Sequence, residues 1–545
     1  MSSLASLSSS CTPSTFSSLQ VFGARILNIE ALLVTNFSAP VANTFRIFQP
    51  SIQVQNASFC NVTVTYTHPG QQDEVTAQTW LPIGNWNGRL QAVGGAGWAA
   101  GAGGVPLSLE LMKGAVGDGY VTITDDAGLT GGIEGVKDWG LLSPGNPNLY
   151  KINNLGAISI NEQSIIGKAL IRSFYGKGPE FSYWSGCSQG GRQGIMAAQR
   201  YPTAFDGIAS ACPALHIPDI LASIQWPQQF MNSIGEHPYP CEIDALTAAA
   251  ISACDPLDGL VDGIISDPST CLHNFDPFSL IGTPISCFTT NTTVPISHAA
   301  AAVANATWHG PHDPSGRQMW YGIPQGADLT GGSSGRDQPG IAWTNCTAGP
   351  NSTCTGTNSF LSFPYLSLLV AKGDPSFNIS NLTLSEFSAL IHAGKQQYSS
   401  FLATDDPDLS AFRNAGGKLI TIHGLADQQI SPEGTLRYYK SVEKELRGDV
   451  KDFYRHFEIP GLAHCFGGRS GPPDGLWEQL RGWVEEGKPA PEESGVEVTG
   501  LDGEVQKRVV CAWPARGNGL GIERMIPGVY EATGLEALDH EEDHL

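Results

Sequence analysis

An α/β fold, a mostly parallel sheet flanked by helices and interrupted by one large insertion, is what this 545-residue sequence predicts. Three observations carry the prediction. First, the β-prone run Phe181-Ser182-Tyr183-Trp184 leads into Gly186-Cys187-Ser188-Gln189-Gly190, and a helix-forming stretch, Arg192 to Arg200, follows and is ended by Pro202. Second, a late strand-like run, Lys418 to Ile422, is followed by Asp427 and then by His464. Third, residues 214–414 between these segments are rich in Gly, Pro, Asn and Thr and hold none of the motifs just named, which is the form of an inserted lid.

G-x-S-x-G is common by chance in a chain with 64 glycines, so Ser188 gains meaning from its context. Strand, sharp turn and helix form the nucleophile elbow of serine hydrolases. The chain order Ser188, Asp427, His464 is that of the α/β-hydrolases. A serine hydroxyl is a poor nucleophile until a base takes its proton, which assigns His464. Asp427 would fix the imidazole tautomer and stabilise the imidazolium. The oxyanion of a tetrahedral intermediate needs preorganised N–H donors. The backbone N–H of Gln189 is one; the glycine-rich loop after Leu90-Gln91-Ala92-Val93 supplies the other, with Gly95 expected and Ala96 next to it. His423 reads as a structural histidine at a strand end, and Asp125-Asp126 as part of a turn or pocket rim.

Each candidate catalytic residue has a cysteine beside it: Cys187 before Ser188, and Cys465 after His464. A bridge between them would hold nucleophile and base together, because bridged Cα atoms lie about 4.4–6.8 Å apart. These residues resemble the tannase and feruloyl esterase family of fungi and bacteria. The resemblance rests on Trp184-Ser185-Gly186-Cys187-Ser188-Gln189-Gly190-Gly191-Arg192-Gln193-Gly194, on Ala198 to Pro202, on Phe205 to Ile208 and on His464-Cys465, and it spans about Cys60 to Cys511. It implies carboxylic ester hydrolysis, Ser188, Asp427 and His464 as triad, and a Cys187–Cys465 disulfide.

The acidic stretch Cys254 to Asp267 carries Asp255, Asp258 and Asp262, the last two each followed by glycine. Its spacing is not that of an EF-hand. By itself it reads as a solvated acidic loop. Resemblance to the family's calcium loop implies instead a structural calcium ion in the lid, held by the side chains of Asp255, Asp258 and Asp262 and the carbonyls of Leu260 and Ile264. Calcium takes oxygen ligands of both kinds.

The expected organisation is a catalytic core in two parts, 1–213 and 415–516, the insertion 214–414, and an acidic tail 517–545 read as disordered. Net charge is −22, which argues against nucleic acid or an anionic membrane as partner. Mean hydropathy of −0.10 and a pI near 4.9 are those of a soluble globular protein. Twelve cysteines, with N-x-S/T sequons such as Asn56, Asn305 and Asn381, point to secretion, although residues 1–10 lack the basic and apolar regions of a signal peptide. Further pairings expected are Cys254–Cys271, Cys11–Cys60 and Cys346–Cys354. Cys212, Cys241, Cys287 and Cys511 are unassigned.

The function expected is therefore a secreted esterase acting on a phenolic ester, free or attached to plant polysaccharide or tannin. Feruloyl esterase and tannase are not separated by the sequence. The alternatives are an α/β-hydrolase of other specificity, such as a general esterase or lipase, and a non-catalytic cell-wall binding protein.

Overall fold

The computed structural model describes residues 4–102, 106–331, 339–347, 349 and 352–515. The acidic tail 517–545 lies outside them. A nine-stranded sheet forms the core. Its strands are β1 (Arg25–Val41), β2 (Ile52–Thr67), β3 (Val75–Pro82), β4 (Arg89–Val93), β5 (Val121–Asp125), β6 (Phe181–Cys187), β7 (Gly207–Ala211), β8 (Lys418–Gly424) and β9 (Tyr454–Ile459). Their order across the sheet is β1-β2-β3-β5-β4-β6-β7-β8-β9. From β5 to β9 every neighbour is parallel, whereas β1, β2 and β3 are joined antiparallel at one edge.

The central strands β5, β6, β7 and β8 are almost wholly buried, as expected where helices cover both faces of a parallel sheet. Helices α1 (Pro106–Gly117), α2 (Ser159–Tyr175), α3 (Gln189–Arg200), α8 (Pro432–Glu445) and α9 (Leu476–Glu485) belong to this core. Between β7 and β8 the chain leaves the sheet for residues 212–417. That stretch contains α4 (Ile217–Ile234), α5 (Pro240–Cys254), α6 (His298–His309) and α7 (Leu384–Leu402), and builds its own apolar centre around Trp226, Ile243, Trp308, Leu366 and Phe387. Trp98, Trp139, Ile152 and Leu155 from the first part of the chain join the same centre. The insertion's apolar centre thus draws on the first part of the chain as well.

One charged group is sealed inside the core half. The His68 ring meets Asp73 through Nδ1 at 2.5 Å and Glu162 through Nε2 at 2.7 Å. Tyr66 donates to the other Glu162 oxygen at 2.8 Å, and Asn154 to Asp73 at 3.0 Å. The hydrogen bond to Glu162, with that to Asp73, outweighs burial and lifts the imidazole to about 9. With a carboxylate on each ring nitrogen, the ring is a cation donating twice.

Five disulfides are formed: Cys11–Cys60, Cys187–Cys465, Cys241–Cys287, Cys254–Cys271 and Cys346–Cys354. Cys241 and Cys287, unassigned from the sequence, thus tie α5 to the strand Pro284–Cys287. Cys212 and Cys511 are left as thiols. Among the described residues no helix is long and apolar enough to cross a membrane.

Candidate active site

Ser188 sits at the turn from β6 into α3 with φ 59° and ψ −120°. A non-glycine residue held there stores strain, and such strain collects at functional sites. The turn is fixed on both sides: the Ser188 N–H donates to Ala211 O at 3.0 Å, and the Ser188 carbonyl accepts from Arg192 and Ala214. Close packing requires glycine at the elbow. A Cβ on Gly186 would lie 2.5 Å from the Gly190 carbonyl carbon, and one on Gly94 would lie 2.5 Å from the Gly190 Cα.

The glycine loop after β4 docks on the first turn of α3. Gly190 N–H donates to Gly95 O at 3.0 Å. Gln193, fully buried, accepts from Gly95 N–H at 3.0 Å and donates to Ala100 O at 3.0 Å. This corrects the sequence expectation: the Gly95 N–H is spent on Gln193 and is not available as an oxyanion donor. The adjoining N–H, that of Ala96, is the remaining choice in that pair. Gln189 opens α3, so its N–H has no acceptor within the helix.

Arg192, on the same helix, is fully buried without a carboxylate. It donates to Gln189 Oε1 (2.8 Å), the carbonyls of Leu155 (2.8 Å) and Gly156 (2.9 Å), and Thr404 Oγ1 (3.0 Å). Burial brings its guanidinium down to about 9. The residue after Ser188 is thereby braced against a π-helical turn, Asn154–Ile158. Arg192 and Gln193 stand inside the run quoted for the family resemblance, but their partners are distant in sequence, so their roles were not readable there.

Asp427 follows β8 and is fully buried. One carboxylate oxygen accepts from the N–H groups of Gln429 (2.9 Å) and Ile430 (2.8 Å). The other faces His464 Nδ1 at 2.8 Å and His423 Nε2 at 3.2 Å. Burial alone would push the Asp427 carboxyl up. The charge of His464 and the hydrogen bonds from the two histidines outweigh it and hold the group far below the usual carboxylate range. His464 is half-buried on the loop after β9, and its N–H donates to Gln428 Oε1 at 3.2 Å. The Cys187–Cys465 bridge, with Cα atoms 5.9 Å apart, clips this loop to the elbow. Ser188, Asp427 and His464, remote in the chain, therefore stand at one end of the parallel strands, where ligands bind in open α/β sheets.

Two neighbours of Asp427 were not assigned to the site from the sequence. The Cys212 Sγ, a His423 ring nitrogen and an Asp427 oxygen lie within 4.8 Å of one another. Burial, with the Asp427 charge next to it, pushes the Cys212 thiol well up, so it stays protonated. The insertion also reaches this corner: Gln429 Nε2 donates to Pro339 O, and Ile430 packs into the insertion's apolar centre. Trp98, beyond the glycine loop, donates to Leu361 O at 2.9 Å and stacks on Tyr365.

In the acidic loop Asp255 and Asp262 are buried. Asp255 accepts from the N–H groups of Asp262 (3.0 Å) and Gly263 (2.8 Å), Asp258 from Leu260 (2.9 Å), and Asp262 from Ile264 (2.9 Å) and the Arg508 guanidinium. Burial raises the Asp262 carboxyl, against the pull of Arg508. The donors suit a hard cation in kind. As they stand, the three carboxylates do not converge: among the described residues only Cys212, His423 and Asp427 form a trio of His, Cys or carboxylate ligand atoms that close. Ile264 shares an apolar cluster with Leu462 and Cys465 and lies against Gly461, where a Cβ would come 2.8 Å from its Cδ1, so the acidic loop borders the His464 loop.

The sequence model of a family described as tannase and feruloyl esterase matches residues 60–519. A probable feruloyl esterase of Arthroderma benhamiae is 35% identical over 508 residues, covering 91% of this chain and 88% of the relative. The tannase of Aspergillus oryzae is 28% identical over 506 residues, covering 84% and 83%. Among solved structures, a tannin acyl hydrolase from Aspergillus niger superposes with a TM-score of 0.83 at 28% identity, covering 97% of this chain and 96% of that one.

Proposed function

The chain belongs to the tannase and feruloyl esterase family, and we propose that as a carboxylic ester hydrolase of that family it cleaves phenolic acid esters with Ser188 as nucleophile, His464 as base and Asp427 as orienting acid. The observation that carries the assignment is the buried Asp427 carboxylate 2.8 Å from His464 Nδ1, on a loop bonded through Cys465 to the residue before Ser188. With Nδ1–H donated to Asp427, His464 Nε2 carries the lone pair. It takes the Ser188 proton as Oγ attacks the ester carbonyl. The N–H of Gln189, with that of Ala96, receives the oxyanion. The imidazolium returns its proton to the departing alcohol, and an acyl-serine remains. Water, deprotonated by the same nitrogen, then releases the acid.

The phenolic acyl group is supported by the names of the relatives and by the position of the insertion, which meets the triad corner at Pro339. A site that bonds a ring hydroxyl strongly rejects analogues lacking it. The test is kcat/KM for methyl ferulate, methyl caffeate, methyl gallate and a short-chain nitrophenyl ester. Preference for a phenolic ester is expected, and the better phenolic acyl group divides feruloyl esterase from tannase. Far faster turnover of the aliphatic ester would remove the phenolic assignment and leave the serine-esterase mechanism.

The same reading places the protein outside the cell, where five disulfides form and persist, with substrate free or attached to plant polysaccharide or tannin. It also includes one calcium ion at the Asp255, Asp258 and Asp262 side chains with the Leu260 and Ile264 carbonyls. The support is charge: Asp255 and Asp262 are buried, and of the loop's carboxylates Asp262 alone meets a guanidinium, that of Arg508. The ion would act on stability alone.

A further inference from the structure

The triad acid has a second imidazole. His423, on β8, is fully buried, and its Nε2 lies 3.2 Å from the same Asp427 oxygen that binds His464, and 3.1 Å from Ile430 O. A carbonyl can only accept, so Nε2 carries the hydrogen and shares it between the two oxygens. Thr435, on α8, lies 2.8 Å from Nδ1 and completes the ring by donating its hydroxyl. The tautomer of His423 is thus set by a strand, a loop and a helix at once.

We propose that His423 is a positioning residue for ester hydrolysis: by donating Nε2–H to the Asp427 oxygen used by His464, it fixes that oxygen and weakens its hold on the His464 proton, and so sets the pH at which His464 becomes a base. The proposal rests on the triad assignment above. An acceptor that already receives one hydrogen bond offers less to a second donor. A carboxylate stripped of that bond, in a site this dry, pulls harder on an imidazolium and keeps it protonated to higher pH. Partners behind a catalytic or ligating group commonly hold its orientation in this way.

The groups facing this pair come from every packed element. Cys212, after β7, presents a thiol that burial keeps protonated, a second neutral donor toward Asp427. On β9, Glu458 is the register partner of His423, and His456 lies one layer below, 2.9 Å from Thr421 Oγ1. Burial, then the neighbouring His423, brings His456 down to about 3, so it stays neutral. Lys440 acts on His456 from α8. Of these only the Cys212 thiol reaches Asp427, and sulfur is a weak donor beside the His423 N–H.

The test compares His423→Leu with His423→Gln, whose amide restores a donor near the Nε2 position. His423→Leu is expected to lower kcat about tenfold with KM little changed, and to move the acidic limb of kcat/KM upward by about half to one pH unit. His423→Gln is expected to bring the limb most of the way back. An unmoved limb in His423→Leu, or equal losses in both variants with the limb unmoved, would overturn the proposal and leave His423 a packing residue. Should His423→Leu fail to fold, Thr435→Val decides: it unpins the ring, and the limb should move the same way by less, whereas an unmoved limb again overturns the idea. Labelling of Ser188 by a fluorophosphonate in the wild-type protein separates this outcome from failure of the triad itself, since the label requires the nucleophile and not the tuning.

Discussion

The two halves of the active site are held by different means. The nucleophile half is local: β6, the Ser188 turn and α3 follow one another directly, and residues Gln189 to Ala198 of the helix are all buried. Ser188 is placed there by packing, at contacts too close for any side chain on Gly94 or Gly186. The acid–base half has no such bed. Asp427 is held by two backbone N–H groups and two imidazoles, and His464 rides a loop in which Gly461, Cys465, Gly467 and Gly468 all have positive φ. What fixes it is a handful of discrete links, one of them a disulfide. Damage to the packing of the first half should therefore appear as lost fold, and damage to the links of the second as lost turnover.

Within the nucleophile half, Ser188→Ala and Gly186→Ala separate chemistry from packing. Ser188→Ala should cost about 10⁴–10⁶ in kcat with an unchanged melt, because the triad acts as a unit. Gly186→Ala should cost roughly 3 kcal/mol or more of stability, since its Cβ meets backbone and not a side chain that can turn away. Measured turnover and melting together decide; a stable Gly186→Ala protein would remove the packing half of the comparison. Next comes the clip. Cys187→Ser with Cys465→Ser should lower kcat about 10–100-fold through misplacement of His464, for a stability loss of roughly 2–4 kcal/mol. In a titration with reductant, activity should fall before near-ultraviolet dichroism does; simultaneous loss would mean that the clip serves the fold.

A smaller effect tests the core half alone. The His68 cation has a raised folded-state value, so its contribution is fully present below about 6.5 and fades as pH rises through about 9. Wild type should lose melting temperature between pH 7 and 9.5, and His68→Gln should be less stable at pH 7 but flat over that window. A wild-type slope equal to that of His68→Gln would show that the cation contributes nothing. The smallest effect expected is that of chelation. Removing calcium should lower the melting temperature by mass action, with turnover of the folded protein unchanged. An unchanged melt in chelator with no metal by elemental analysis would dismiss the ion.

The difference between the halves also explains what was legible in the sequence. Strand, elbow and helix of the nucleophile half are local patterns, and the structure places them within a few residues of their expected bounds. The order of Ser188, Asp427 and His464 and the flanking cysteines carried the rest of the triad. Hydrogen bonds between distant segments left no such trace. That Gln193 takes the Gly95 N–H, that Arg192 reaches Leu155 and Gly156, and that His423 shares an Asp427 oxygen depend on which strands lie side by side, not on spacing along the chain. The antiparallel edge β1-β2-β3 was missed for a related reason, since alternation within a strand does not state its direction.

Seen as a thread, the chain passes twice through one sulfur–sulfur bond. Cys187 and Cys465 are 278 residues apart, and the whole insertion lies in the loop they close. A protease that cuts the backbone between 214 and 414 would divide Ser188 from His464 in sequence, yet the two pieces would stay one covalent molecule. They would also remain in register along β7 and β8, where Lys418 pairs with Gly207 and Ile422 with Ala211. The enzyme would run as two bands on a reducing gel and as one on a non-reducing gel, with its nucleophile and base still face to face.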